Sequence, residues 1–370
     1  NIPNAGLLPV SGPSWRTCAM FVNWLCNDKR TDLSAIQNGA YDISTFGYNG
    51  NAFTDQRAHN PGARYWLPTT DEWIKAGYYD PNYGGAGVGG WWWRSPNGTN
   101  DLLIHAPPGI GQSNSAFSTP DRSEFLIPLG AYPSVRSPWG LLDMAGATAE
   151  FTESVKTTND IPERDVAGSY WTMFDVGIDV IAGIGTEYPS FPSTFYGFRV
   201  AASVPSPGAY IVVFAVGVVC TRRKRIVRVS SLRAASSRVT QSLAAALLLS
   251  TAAGSALAQP DPSGITFVTV SSPNNAAYSG PDVNNRVTGR GSIPYEYKIG
   301  QLEVTTAQWM EFYNAFAGRN RHIFLPLHWG AVDTGNTTNR FVLNPNIPNA
   351  GLLPVSGPSW RTCAMFVNWL

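Results

Sequence analysis

The sequence predicts a loop-heavy domain of short strands and a few amphipathic helices, held together by aromatic packing. Two observations predict it. Aromatic residues make up 12% of the 370 residues and charged ones only 14%, while 36 glycines and 28 prolines break the chain too often for a helical bundle. Capped stretches of helical period stand at three places, and between them lie short alternating runs bounded by Gly, Pro, Asn and Ser.

The order of the chain is the first problem. Residues 1–25, NIPNAGLLPVSGPSWRTCAMFVNWL, return letter for letter as residues 346–370. Repeat architectures have periods of a few tens of residues and drift between copies. A perfect repeat at the two ends, with nothing else repeated, reads instead as a circle cut open with a short overlap, or as a tandem duplication. Both give the same order, residues 226–345 followed by 1–225. The repeated element reads as a buried helix, with Ser14 as its cap and Trp15, Cys18, Ala19, Phe21, Val22 and Leu25 at helical spacing. Two copies and one place imply competition: one copy packs into the domain and the other is displaced.

Charge is unevenly spread. Residues 204–258 carry seven of the 26 basic residues and no acid, which leaves 19 basic against 25 acidic residues elsewhere. The domain outside that segment is mildly acidic, so nucleic acid is not an expected partner. Of the four cysteines, Cys363 duplicates Cys18, and Cys18, Cys26 and Cys220 make no disulfide framework. On one continuous helix Cys18 and Cys26 lie about 12 Å apart along the axis, beyond the roughly 7 Å limit for a bridge, so both are expected to be buried free thiols.

After the first helix, GAYDIS (39–44) reads as a short strand. In GARYWLPTTDEWIKAGYYDP (62–81), Thr69 caps a helix with Glu72 as its reciprocal partner, and Trp73, Ala76 and Gly77 form the inner face. Adjacent Asp71 and Glu72 point in different directions on a helix, so they read as solvated first-turn carboxylates rather than a catalytic acid pair. Trp91, Trp92 and Trp93 follow a glycine run. Either the cluster is exposed and stacks on a sugar or a partner, or alternate rings fill the core with the middle one at the surface. The histidines at 59, 105, 322 and 328 lack ligand spacing; a metal site from His322, His328 and Asp333 is one reading, and isolated loop histidines the simpler one.

Residues 138–151, PWGLLDMAGATAEF, hold the most informative chemistry. Asp143, Gly146, Thr148 and Glu150 stand at offsets of zero, three, five and seven, so two carboxylates and two backbone carbonyls converge if the loop folds back on itself. Calcium takes oxygens of that mixed kind. A turn followed by a strand explains the spacing equally well. VAGSYW (166–171) and FYGFRVAAS (195–203) read as buried closing strands.

At residue 204 the composition changes. VPSPG, an apolar run from Ala209 to Cys220, and Arg222, Arg223, Lys224 and Arg225 form a three-part tail whose apolar run is shorter than the about 20 residues of a membrane span. Scattered arginines, LAAALLLSTAAGSAL and Ala256-Leu257-Ala258 then give the layout of a secretory signal with cleavage before Gln259. From 259 the text resumes as a domain start: GITFVTVSS alternates like a strand, and GSIPYEYKIGQLEVTTAQWMEFYNAFA runs from strand to helix. Thr305 or Thr306 caps that helix, with Trp309, Phe312, Tyr313 and Phe316 inside.

YKIGQLEVTTAQWMEFYNAF resembles the opening block of the formylglycine-generating enzyme family, or sulfatase-modifying factor domain. PSWRTCAMFVNWL, GARYWLPTTDEW, WGLLDMAGATAEF, VAGSYW and GFRVAAS are similar to its later blocks, so the resemblance covers residues 263–345 and 1–203. It implies an α+β, C-type-lectin-like fold with low regular secondary structure, circularly permuted here, and bound calcium (Ca2+). By position, Asp143 stands for the family's Asn ligand, Gly146 and Thr148 offer carbonyls, and Glu150 keeps the acid; Asn114 and Asp121 are candidates for a second calcium site. The family's enzymes oxidise a sulfatase cysteine with copper held by two thiolates just after a Gly-Gly-Ser block. Residues 168–199 hold no cysteine and only Met173 as a sulfur donor, so copper is not expected. The tail resembles the PEP-CTERM sorting signal, with Ser206 where a glutamate is usual.

The expected organisation is therefore 1–203 as the C-terminal two thirds of the domain, 204–225 as sorting tail, 226–258 as signal segment, 259–345 as the N-terminal third, and 346–370 as the duplicate. The expected protein is a secreted or cell-surface bacterial module without oxidase activity, with a protein or glycan partner and transient membrane contact through tail and signal. An active copper oxidase and a glycan binder using Trp91, Trp92 and Trp93 are the alternatives.

Overall fold

Helix α1, Trp15–Cys26, is the element around which the rest packs. Ser14 caps it by accepting the Thr17 N–H, as its sequence predicts. Burial goes further than one face: Met20, Asn23 and Trp24 are enclosed along with the six predicted residues, because other elements cover the helix on several sides. The computed structural model describes residues 10–115, 127–204, 261–317, 331–336 and 340–343, apart from residues 11, 51, 86, 159, 172, 174–177, 194, 283 and 284. The second copy of the repeat, the tail, the signal segment, Cys220, Asp121, His322 and His328 lie outside the described residues.

Among the described residues three further helices follow: α2 (Ser34–Gln37), α3 (Thr70–Tyr78) and α4 (Thr306–Ala317). Both sides of the Thr69–Glu72 capping box form on α3. On α4, Thr305 accepts the Gln308 N–H at 3.2 Å while Gln308 accepts the Thr305 N–H at 2.9 Å, which settles the cap on Thr305. No helix among the described residues is long and apolar enough to cross a membrane.

Apart from β6 and β7 the strands are short, as the punctuation of the sequence requires. In chain order they are β1 (Tyr48–Asn49), β2 (Ala52–Phe53), β3 (Tyr65–Trp66), β4 (Tyr79–Asp80), β5 (Trp91–Trp92), β6 (Ala149–Thr158) and β7 (Ile161–Ala167). β8 (Ile184–Glu187), β9 (Tyr196–Gly197), β10 (Ala201–Ser203), β11 (Phe267–Val270), β12 (Tyr297–Gly300), β13 (Ala331–Asp333) and β14 (Phe341–Leu343) complete the set among the described residues. One sheet has the order β8-β7-β6-β9, in which β6 and β9 run parallel and the register between β6 and β7 shifts after Phe151. The other has the order β11-β12-β10-β3, antiparallel throughout.

That second sheet is assembled from distant parts of the chain. Ala201–Ser203 pair on one edge with Tyr65–Trp66 and on the other with Tyr297–Ile299. Residues 1–203 and 262–370 accordingly form one unit, and 204–261, outside the described residues but for its two ends, form another. The first is a mixed α/β unit with few helices and curled sheets.

Two sequence expectations need correcting. GAYDIS does not form a strand: the Asp42 carboxylate accepts the Ser44 N–H at 2.9 Å and winds Ile43–Thr45 into a 3-10 turn. The closing strands are also shorter than predicted, since β7 ends at Ala167 and residues 195–203 divide into β9 and β10.

Candidate functional site

The loop before β6 folds back on itself because three of its residues adopt the left-handed conformation: Asp143 (φ 53°), Gly146 (φ 81°) and Ala147 (φ 52°). Glycine takes that conformation freely, and aspartate tolerates it better than most residues. The turn brings the Glu150 carboxylate and the Asp143 carbonyl to one buried cation, Arg199, which arrives from the segment between β9 and β10. Arg199 Nε donates to Glu150 Oε2 at 2.6 Å and its Nη2 to Oε1 at 2.5 Å, a two-pronged ion pair in which both side chains are enclosed. Trp73 Nε1 adds a third bond to Glu150 at 2.9 Å. Arg199 also donates to the carbonyls of Leu142, Asp143 and Gly300.

Asp143 Oδ2 accepts the Gly130 N–H at 2.7 Å. Burial pushes its carboxyl up to about 6, while that N–H and the Arg199 charge pull the other way. Glu303 is a member of the cluster that sequence reasoning missed. It accepts the Thr148 hydroxyl, its Oε1 has no hydrogen-bond partner, and burial together with the Glu150 charge holds its carboxyl well above the usual range. An acid between Leu302 and Val304 was the available signal.

These contacts test the predicted calcium set. Both Glu150 oxygens face donors, and the Thr148 hydroxyl is turned to Glu303. An ion held here would take oxygen from Asp143 and the Gly146 and Thr148 carbonyls, since Glu150 is held by Arg199. Asn114, the candidate for a second site, stands beside the same loop and accepts the Ala147 N–H at 2.6 Å.

The three tryptophans are arranged differently from either expectation. Trp92, the middle ring, is 3% exposed, Trp91 is 45% exposed, and Trp93 is half-buried. Trp92 packs on Tyr79 and Tyr278 and donates to the Ala276 carbonyl at 3.2 Å. Trp93 leans on Tyr83 and donates to Asp80 at 3.1 Å. Trp91 alone presents a substantial open face.

Glu72 corrects another reading, since it is fully enclosed rather than solvated. The capping box turns its carboxylate back, where Trp66 Nε1 (3.0 Å) and the Tyr295 hydroxyl (3.0 Å) donate to it. Burial still holds its carboxyl above the usual range. His59 stacks on Trp66 and reaches Glu153 Oε2 at 2.8 Å, and His105 reaches Asp179 at 2.7 Å. Cys18 and Cys26 are free thiols on α1; Cys18 is enclosed, and the partly buried Cys26 donates to the Tyr65 carbonyl at 3.3 Å. Burial pushes both thiols up.

Short strands, few helices and an enclosed arginine–carboxylate hub define a mixed α/β domain of low regularity. The family model of the sulfatase-modifying factor enzyme 1-like domain matches residues 1–204, more than half of the chain, and the chain belongs to that family. No curated protein and no solved structure matches it. Residues 267–300 fall outside the matched span yet supply two strands of the sheet that contains β3 and β10.

Proposed function

We propose that this is a secreted bacterial protein whose domain keeps the family scaffold without its oxidase chemistry and serves as a surface or binding module. The observation that carries this reading is the absence of cysteine from residues 168–199, where the resemblance expects two thiolates. Cu(I) selects soft sulfur, and the single thioether of Met173 does not replace two thiolates. The alternative, an oxidase drawing on Cys18 and Cys26, meets two obstacles: the thiols stand eight positions apart on one helix, and both are held in the protonated form that binds metal poorly. Copper binding and oxidation of a cysteine-containing sulfatase-motif peptide decide the matter. No copper-dependent formylglycine is expected. Turnover sinks the proposal, and its loss in Cys18→Ser/Cys26→Ser would identify the donors.

Calcium belongs to this reading as a stabiliser, held by Asp143 and the Gly146 and Thr148 carbonyls while Glu150 stays on Arg199. A chelator should then lower the unfolding temperature, calcium restore it, and Asp143→Ala remove the difference. An unfolding temperature indifferent to chelator removes calcium from the account.

The pairing of β10 with β12 supports reading 259–345 as the N-terminal third of the domain completed by 1–203, with 226–258 as its signal and 204–225 as its PEP-CTERM-like sorting tail. Partners would then be proteins or glycans at the cell surface. Trp91 favours a glycan reading, because one exposed indole beside a polar hairpin suits the apolar face of a sugar. Binding on a glycan array that Trp91→Ala leaves intact would count against it.

A further inference from the structure

Near the start of α1, aromatic rings from two segments meet at the surface. Tyr48 of β1 and Phe53 of β2 stand with ring centroids 4.6 Å apart, and Phe53 meets Tyr188, the residue after β8, at 5.4 Å. Tyr48 is 48% exposed and Tyr188 40%. Phe191, whose N–H donates to the Tyr188 carbonyl in the same turn, is 48% exposed. A single exposed aromatic needs no explanation, but a contiguous set marks a surface that meets a ligand.

The set is fixed in place from beneath. The Arg16 guanidinium lies 5.3 Å from the Tyr48 centroid and 5.7 Å from those of Phe53 and Phe46. The same group donates to Asp55 at 2.6 and 2.8 Å and to the Gly47 carbonyl at 3.0 Å. The Tyr48 and Ser190 hydroxyls bond at 2.8 Å, and the Arg16 N–H donates to the Pro189 carbonyl at 3.1 Å. Both segments are thus tied to α1 and to each other. A ligand finds the rings already placed and loses little free energy in ordering them.

Charge decides the class of ligand. Arg16 is neutralised by Asp55, and the Glu187 carboxylate takes the Tyr188 N–H at 2.8 Å and the Tyr196 hydroxyl at 3.1 Å. These groups leave no spare cation for the phosphates of a nucleic acid or for an acidic polymer. What the surface offers is ring faces with hydroxyls at their edges, and the Tyr188 hydroxyl has no partner among the described residues. A pyranose is the complement, with C–H groups on its flat faces and hydroxyls around its rim. We propose that Tyr48, Phe53 and Tyr188 form a binding platform for a neutral oligosaccharide. The platform does not include Trp91 and does not depend on the glycan reading given to that residue.

The test is titration calorimetry of the full chain with cellohexaose, chitohexaose and maltohexaose at millimolar concentration, and with hexagalacturonate and a proline-rich decapeptide as competing classes. At least one neutral hexasaccharide is expected to bind, about tenfold more weakly to Tyr188→Ala and Phe53→Ala, while Tyr188→Phe and Trp91→Ala stay within about twofold of the parent. Tyr188 is exposed, so Tyr188→Ala is expected to keep the parent's unfolding temperature, which separates lost stacking from lost folding. Binding of none of the three sugars, binding that Tyr188→Ala leaves unchanged, or tighter binding of the acidic sugar or the peptide overturns the proposal. Binding lost in Trp91→Ala alone assigns the sugar to Trp91 and overturns it too, so the two sites fail separately.

Discussion

Arg199 and Glu150 form a buried pair whose value lies in being complete. Removing one member leaves the other charged and dry, which costs about 3–5 kcal/mol for a fully buried pair. Arg199→Ala and Glu150→Gln are expected to lose that amount, read as a lower denaturant midpoint at unchanged slope. Arg199→Lys should recover little, since an ammonium does not reproduce the two-pronged contact. His59 gives a pH signature. Burial pulls its imidazole down, but the hydrogen bond and charge of Glu153 more than reverse this, so its pKa stands above 6.5. A raised folded value means that the contribution is complete below pH 6.5 and is lost as pH rises through the folded pKa. The stability gap between the parent and His59→Gln should therefore be wide at pH 6 and narrow at pH 9; a gap constant over that range would refute the ion pair. At this scale the sequence was least legible. Trp92 is buried because Tyr79 and Tyr278 meet it, and Glu72 because Trp66 and Tyr295 cover it, and Tyr278 and Tyr295 lie about two hundred residues away.

Helix ends were read correctly because capping is local. Thr69 with Glu72 and Thr305 with Gln308 need three residues of context and nothing from the rest of the fold. Thr69→Ala should cost about 1 kcal/mol by loss of the cap, measurable by urea titration. An unchanged midpoint would show that Glu72, with its other donors, holds the turn unaided. The misread element was GAYDIS, where apolar alternation pointed to a strand and one aspartate side chain took the backbone donor first. The candidate loop was half legible: the spacing of Asp143 and Glu150 indicated convergence, but the guanidinium that pairs with Glu150 and takes the Asp143 carbonyl comes from residue 199, and the third acid from residue 303.

For the molecule as a whole, residues 1–203 and 262–370 belong to one unit. Residues 1–204 on their own lack β11, β12 and α4, leaving β10 unpaired on one side and Phe21 and Phe198 without Trp309. That fragment is expected to unfold without a cooperative transition, and addition of a separate 261–343 chain should restore one. A cooperative transition in the fragment alone would show that the pairing is dispensable.

The β10–β12 pairing also sets a delay for folding. Whichever of the two strands is made first waits for the other, and the aromatic surface packed beside it stays bare in the interval. Contacts of such long sequence separation form slowly once they become possible, so chaperone demand follows from the joining of one short strand pair.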